Sequence, residues 1–277
     1  MYLTEKKKNI LTFLGSGTST GIPIPGCSCG VCTSSNPKNK RLRSSLYVQE
    51  KSGINFIIDT GPDLRTQLLR EKIDSIDFVI ITHDHADHLH GIDDLRPLTF
   101  FPSKKTIPVF CHDIHLSSIK QRFNYIFDRE SINKNQSYKG GGLPQLDLYP
   151  LEELNNKFKN LNIKWNLAPH GNGKTTIIHH SELTYLIDCH DITDPILNHL
   201  QKGANHLLVI DCVKYGRHPS HLGTDKTKEI LLKTSPKRGF LTHLGHDLDH
   251  DKLESEFQQE VGDHVFLAYD GLKLRYD

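Results

Sequence analysis

Long apolar runs are missing from this sequence. Nowhere do its 277 residues approach the ~20 consecutive apolar positions that a membrane helix needs. The segment Met1 to Ile10 is too polar for a signal-peptide core, so the cytoplasm is the expected compartment and no membrane partner is expected. Charge asymmetry is missing as well. Against 33 Asp+Glu stand 34 Lys+Arg, a net charge of +1, which argues against electrostatic capture of nucleic acid by the whole chain and leaves only local patches. Internal repeats and low-complexity tracts are absent. The hydrophobic fraction of 36% suffices for one core, and residues 1–277 are read as one domain. Methionine and tryptophan occur once each, whereas histidine occurs 18 times. That excess is the first pointer to function.

Cysteine is scarce but uneven. Cys27, Cys29 and Cys32 fall within six residues, while Cys111, Cys189 and Cys212 sit singly in apolar segments. Thiols so crowded cannot all pair locally with sound disulfide geometry, so a reduced compartment and a metal cluster fit better than an oxidised framework. The scattered three are simplest as small buried hydrophobes. For the cluster, free surface thiols or an iron–sulfur site remain open, although the latter usually takes four cysteines.

Short apolar runs bounded by Gly, Pro, Asn or Asp read as strands at 10–14, 45–49, 55–59, 77–82, 108–111, 163–168, 183–188, 206–212, 240–242 and 264–269. Helical patterns span 63–72, 115–123, 194–202, 225–233 and 249–259, and the last three open on Asp or Thr-Asp, suited to N-capping. The order implies a mixed, largely buried sheet system with outer helices. Residues 128–144, with Gly140, Gly141 and Gly142, read as a surface loop.

The strand ending at Thr82 runs straight into His83-Asp84-His85-Ala86-Asp87-His88. In an extended segment His83 and His85 face one side and can clamp a cation. Where the chain turns into a helix, Asp87 and His88 can face a second. Two cations ~3.5–4 Å apart would grip both oxygens of an in-line displacement and generate hydroxide at neutral pH.

This hexapeptide resembles the HxHxDH signature of the metallo-β-lactamase superfamily, and the likeness runs through nearly the whole chain. Asn55 to Gly61 resembles the strand ending in Asp-x-Gly, Leu167 to Gly171 the third histidine motif, Leu183 to Asp188 the strand with the bridging aspartate, and Phe240 to His243 the strand with the last histidine. The resemblance implies an α/β fold, a four-layer αββα sandwich. It implies that His83, His85 and His170 hold one metal and Asp87, His88 and His243 the other, with Asp188 and a hydroxide bridging. By themselves His170 and His243 also suit satisfied core histidines, and Asp188 an ordinary strand-end carboxylate.

Gly15 to Gly21 followed by Cys27-x-Cys29-x-x-Cys32 is similar to a narrower branch, the phosphodiesterases that hydrolyse ribose cyclic phosphates beside the carbon–phosphorus lyase pathway. The likeness makes Cys27, Cys29, Cys32 and His246 a structural zinc site in a loop at about 26–33. It also makes His221 a catalytic imidazole, with a solvated loop histidine as the plainer alternative. Asp93, Asp94 and Arg96 suit helix capping and ion pairing as well as a pocket wall. His90, His179, His180, His190, His218 and His250 are read as bystanders, and Lys38, Lys40, Arg41 and Arg43 as a solvated loop rather than an RNA-binding edge.

The expected function is a dinuclear metal-dependent phosphodiesterase acting on a cyclic or small phosphodiester. Asp87, Asp188 and His221 serve its chemistry, with two active-site divalent ions, zinc or manganese, and one structural zinc. RNA is a less favoured partner, and a homodimer is compatible with the reading. A ribonuclease Z-like endonuclease, a thioesterase or lactonase, and a zinc-stabilised RNA-binding module with a vestigial site are the alternatives.

Overall fold

The computed structural model describes residues 7–101, 104–128, 142–202 and 207–277, so most of the 128–144 loop lies outside the described residues. One sheet holds, from edge to edge, β13 (Lys273–Tyr276), β1 (Asn9–Gly15), β2 (Ser45–Gln49), β3 (Asn55–Ile58), β4 (Phe78–Ile81), β5 (Ile107–Cys111) and β6 (Leu146–Pro150). The other holds β12 (Val265–Leu267), β11 (Arg238–Thr242), β10 (Leu207–Asp211), β9 (Leu183–Leu186), β8 (Gly173–His180) and β7 (Lys164–His170). Strands β3 to β6 are parallel, as are β9 to β12. Antiparallel strands complete each sheet.

Alternation along the apolar runs explains why two sheets pack face to face with helices outside. Leu46, Val48, Phe56, Ile58, Phe78 and Ile80 join Tyr185, Leu207 and Val209 of the opposite sheet in one buried cluster. Their neighbours Tyr47, Ile57, Val79 and Ile81 point the other way, onto Leu64 and Leu68 of α1 (Leu64–Glu71) and Leu89 of α2 (Ala86–Leu89). Ile119 of α3 (Asp113–Arg122) and the turn α4 (Asn124–Phe127) close that outer layer. The turn α5 (Leu154–Lys157) instead feeds the inner cluster through Leu154. In the second sheet Leu208 and Ile210 face α6 (Asp194–Lys202), α7 (Thr224–Thr234) and α8 (His250–Glu260) through Ile196, Ile230 and Phe257. A period of two with both phases apolar is the mark of strands covered on both faces.

Strands β6, β8 and β13 have no counterpart among the strands expected from sequence. Strands β6 and β13 are sheet edges with mostly partly exposed or exposed residues, and β8 carries Thr175, Thr176, His179 and His180 buried where an apolar signal was sought. Helix α8 starts as expected, with Asp249 accepting the Lys252 N–H at 3.2 Å. Helix α7 does not. Its cap is Gly223, and Thr224 instead accepts the Gly216 N–H at 2.9 Å.

The basic run 38–43 is only in part the solvated loop expected, since Lys40 is exposed but Arg41 is not. Arg41 is 1% exposed, and its guanidinium donates to the carbonyls of Gly245 (2.9 Å) and Leu248 (2.7 Å) and to Asn39 Oδ1 (3.0 Å). Its backbone pairs both ways with Ile22 at 2.8 Å. Burial pushes its pKa down to about 10, so the charge persists at neutral pH. Arg43 is bound to Asp63 at 3.0 Å, and Lys40 donates to the Cys32 carbonyl. Arg41→Ala would take a donor from the carbonyls of Lys38, Gly245 and Leu248 and leave Asn39 Oδ1 with the His250 N–H alone, so it is expected to cost about 3 kcal/mol of stability. Urea unfolding of the variant measures this directly, and an unchanged midpoint would refute it.

Candidate metal centre

The sandwich brings the C-terminal ends of β3, β4, β7, β9, β10 and β11 to one end of the molecule, where ligands of α/β sheets collect. Asp59, His83, His170, Asp188, Asp211 and His243 stand at or just past those ends. Asp59 (φ 67°), Asp188 (φ 53°) and His243 (φ 57°) adopt left-handed backbone, which turns each side chain sharply off its strand. The turns interlock closely. A Cβ at Gly61 would lie 2.2 Å from the Asp87 carbonyl oxygen, and one at Gly91 1.9 Å from that of Gly61, so only glycine lets the His85–His90 segment lie against the Asp59 turn.

Asp188 is buried at the middle of the group. His83 Nε2 lies 3.2 Å and His88 Nε2 3.0 Å from its Oδ2, and His243 Nε2 lies 3.2 Å from its Oδ1. Asp87 Oδ2 approaches His88 Nε2 at 3.1 Å, and His85 Nδ1 faces His170 Nε2 at 3.1 Å. Two donor groups result, His83/His85/His170/Asp188 and Asp87/His88/Asp188/His243, sharing one carboxylate. Extended backbone at His85 followed by helix from Ala86 produces the division between them.

The opposite nitrogens fix the tautomers. His170 donates from Nδ1 to the Ser220 carbonyl (2.9 Å) and His88 from Nδ1 to Asp59 (2.8 Å). The Thr82 hydroxyl is spent on Asp59, so it accepts from His83 Nδ1 (3.1 Å). The Ser44 hydroxyl is spent on the Gly17 carbonyl, so it accepts from His243 Nδ1 (3.2 Å). Each ring, when neutral, is left with its lone pair on Nε2. Nε2 of His83, His88 and His243 and Oδ1 of Asp188 are buried with no hydrogen-bond partner. Buried orphans of this kind need a counterpart, and imidazole nitrogens with carboxylate oxygens are the donor set of a divalent cation. Charge agrees. Burial resists ionisation of His88, yet the carboxylates of Asp188, Asp87 and Asp59 hold its pKa well above the ordinary value, whereas burial pushes His83 down to about 3.

A second cluster sits behind the first. Cys27, Cys29 and Cys32 approach His246 Nδ1 at 3.3, 3.6 and 4.0 Å, and all six cysteines are unpaired. A tetrahedral zinc with bonds of ~2.3 Å to sulfur and ~2.05 Å to nitrogen would set S···N at about 3.6 Å. The Cys32 N–H, donated to the Cys29 sulfur, is the chief cause that lowers the Cys29 thiol to about 6, favouring the thiolate that a metal requires.

A β-lactamase superfamily domain model matches residues 54–244, about two thirds of the chain. The chain belongs to the metallo-β-lactamase superfamily. It is similar to a crystallised diphosphatase of the PhnP family, with 33% identity over 98% of both chains and a TM-score of 0.83. Zinc-bound PqqB from Methylobacterium extorquens shares the fold, with 16% identity, 96% and 99% coverage and a TM-score of 0.71. Among curated proteins, the octanoyltransferase of Porphyromonas gingivalis is 32% identical over 95% of this chain but only 51% of its own length. The chain thus spans about half or less of the curated relatives it matches.

In this superfamily member a cavity of about 660 Å³ opens over the His/Asp cluster. His221 lines it, with Nδ1 3.3 Å from Asp211 and 3.7 Å from Asp188. Burial alone would lower its pKa, but the bond to Asp211 raises it to about 9. Asp93, Asp94 and Arg96 do not line the cavity, and His179, His180 and His250 are buried elsewhere. The His218 ring lies 5.1 Å from that of His221, tilted by 56°, so it is closer to the site than a bystander. The sequence reading passed over Thr82, Ser44, Ser220 and Asp211. Asp211 ends an apolar strand as Asp188 does and carried that signal, but Ser44 meets a histidine 199 residues away and carried none.

Because the carboxylates around His88 favour its protonated form, whose proton a cation must displace, adding zinc to chelator-treated protein is expected to release protons and raise the melting temperature. Release should shrink as pH rises through the elevated His88 pKa. Calorimetry in buffers of different ionisation enthalpy reads it, and binding with no proton release would contradict this charge assignment.

Proposed function

We propose that this chain is a dinuclear metal-dependent hydrolase that cleaves phosphodiester or diphosphate linkages in small substrates. The observation that carries the reading is the pair of donor groups sharing Asp188 on the floor of a cavity that also contains an Asp211-backed imidazole. His83, His85 and His170 would hold one cation, Asp87, His88 and His243 the other, and Asp188 both. When bound, the ions supply an activated water and neutralise charge building on the phosphoryl oxygens. Likeness to a diphosphatase of the PhnP family over 98% of the chain supports phosphoryl rather than acyl chemistry.

The chain's own groups account for the remaining steps. Asp211 occupies His221 Nδ1, which orients the ring and keeps it protonated, so Nε2 can deliver a proton to the departing oxygen. Lys174 at the cavity wall adds a positive charge for an anionic substrate. Cys27, Cys29, Cys32 and His246 would hold a structural zinc. RNA is disfavoured as a partner because much of the basic run is already committed: Arg41 is buried, Arg43 is paired with Asp63, and the exposed Lys40 donates to the Cys32 carbonyl.

His221→Ala is expected to keep both active-site metals yet lose ~10²–10⁴-fold in turnover of an alkyl phosphodiester, with a smaller loss for a p-nitrophenyl ester whose leaving group needs no proton. Asp188→Ala, by contrast, should lose metal and turnover together. Metal content and kcat for both esters decide the matter, and equal losses for the two leaving groups would remove His221 from proton transfer. Cys29→Ser should release one zinc per chain and lower the melting temperature. Unchanged zinc content would sink the structural site.

A further inference from the structure

Beside the two donor groups that share Asp188 lies another, in which Asp211, His221 and Asp188 each bring a ligand atom within 4.8 Å of the others'. His221 Nδ1 is 3.3 Å from Asp211 Oδ2 and 3.7 Å from Asp188 Oδ1. One ring hydrogen serves only one of these carboxylates, and the shorter contact gives it to Asp211. Asp211 is fully buried, and its Oδ1 has no hydrogen-bond partner among the described residues. Both residues are anchored. The Asp211 carbonyl accepts from Thr227 Oγ1 at 2.8 Å, and the Ser220 carbonyl next to His221 accepts from His170 Nδ1. His221 lines the main cavity and also a second one of about 380 Å³, bounded by His190, His218 and Lys226, so an ion can reach the ring from either side. Two carboxylates facing one imidazole, with a buried oxygen left over, suit a divalent cation better than a single hydrogen.

We propose that Asp211 and His221 Nδ1, with Asp188 alongside, form a third divalent-cation site of low affinity, whose occupation by zinc blocks proton delivery by His221. The ion takes the place of the Nδ1 hydrogen, which leaves to solvent as a proton. A ring metallated at Nδ1 keeps a hydrogen on Nε2 but can release it only by becoming an imidazolate, so it is a far weaker acid than the imidazolium. Affinity is low because the carboxylates of Asp59, Asp87, Asp188 and Asp211 already balance the charge of two divalent cations. Zinc suits the site because it accepts imidazole and carboxylate together, whereas magnesium keeps to oxygen. The effect on turnover rests on the reading of His221 as proton donor in a phosphohydrolase, but the binding does not.

The test raises free zinc over the zinc-loaded full chain and compares it with His221→Ala and the near-isosteric Asp211→Asn. Equilibrium dialysis with atomic absorption reads zinc per chain. All three proteins should agree at low free zinc, and at high free zinc the unaltered chain should hold one zinc more than either variant. Equal uptake at high zinc overturns the inference. Turnover of the unaltered chain gives a reading that does not depend on how the variants fold. As the extra zinc binds, kcat for an alkyl phosphodiester should fall ~10-fold or more, while that for a p-nitrophenyl ester, whose leaving group needs no proton, stays within about 3-fold. Half of that loss should come at half-saturation of the extra zinc. Inhibition of both esters alike, or at a zinc concentration unrelated to the extra uptake, would place the inhibitory ion elsewhere and overturn the inference. Extra zinc that both variants lose, with turnover of neither ester changed, would overturn the inhibitory role and the reading of His221 as proton donor while the site itself stands. A chain that cleaves neither ester would take down the phosphohydrolase reading, and zinc uptake alone would then decide whether the site exists.

Discussion

Four imidazoles around Asp188 are gripped by the nitrogen that faces away from it, and much of the local architecture follows from that requirement. An imidazole offers a lone pair at one nitrogen only if the other holds the hydrogen, and that hydrogen needs an acceptor. Asp59 serves two rings at once, His88 directly and His83 through Thr82, which explains why a carboxylate is buried completely and turned to a φ of 67°. Burial by itself raises the Asp59 pKa, so the carboxylate needs the His88 and Thr82 hydrogens as much as they need it. The close approach of Gly61 and Gly91 then brings the His85–His90 segment near enough for the bond to form.

The cysteine cluster enters the same mechanical system through a different residue. His243 and His246 occupy one turn after β11, so a loop held at His246 bears on His243 as well. Arg41 binds that turn at Gly245 and the approach to α8 at Leu248, while its backbone pairs with Ile22, five residues before Cys27. Gly17 bridges to both Arg43 and Leu244, and Ser44 bonds Gly17 and His243. Residues 17–44 therefore act as a brace beneath the centre. A buried guanidinium suits that role because its several donors can satisfy carbonyls from separate segments in one plane.

Sequence reading reached the fold through the strands covered on both faces, since β2, β3, β4 and β10 are apolar in both phases. It missed β6, β8 and β13 because edge position or buried histidine and threonine removes that signal. Residues of the His83–His88 segment were legible because a single strand-to-helix transition positions them, which spacing alone can encode. His170, Asp188, His243 and His246 came from resemblance to a family, and the structure gathers them with that segment or with the cysteines. Ser44 and Thr82 stayed hidden. Their identities are ordinary, and what distinguishes them is a neighbour supplied by another part of the chain. Arg41 misled for the same reason, since a run of four cations within six residues predicts solvent unless carbonyls elsewhere call one of them inward.

Two carboxylate–imidazole pairs flank the cavity, and physics sends them in opposite directions. Burial disfavours the charged ring in both. His221 has Asp211 in contact and feels Asp188 and Asp87 beyond it, so the carboxylates prevail and its pKa rises to about 9. His115 has Asp84 alone, whose charge is already spent on Ser118 and Arg122, and it feels the imidazoles of His112 and His85, so its pKa falls. One ring is thereby favoured in its charged form and the other in its neutral form, although each is paired with a single aspartate through Nδ1. The difference lies in how many uncommitted carboxylates each ring sees, and that number is set by the strand ends that converge on Asp188.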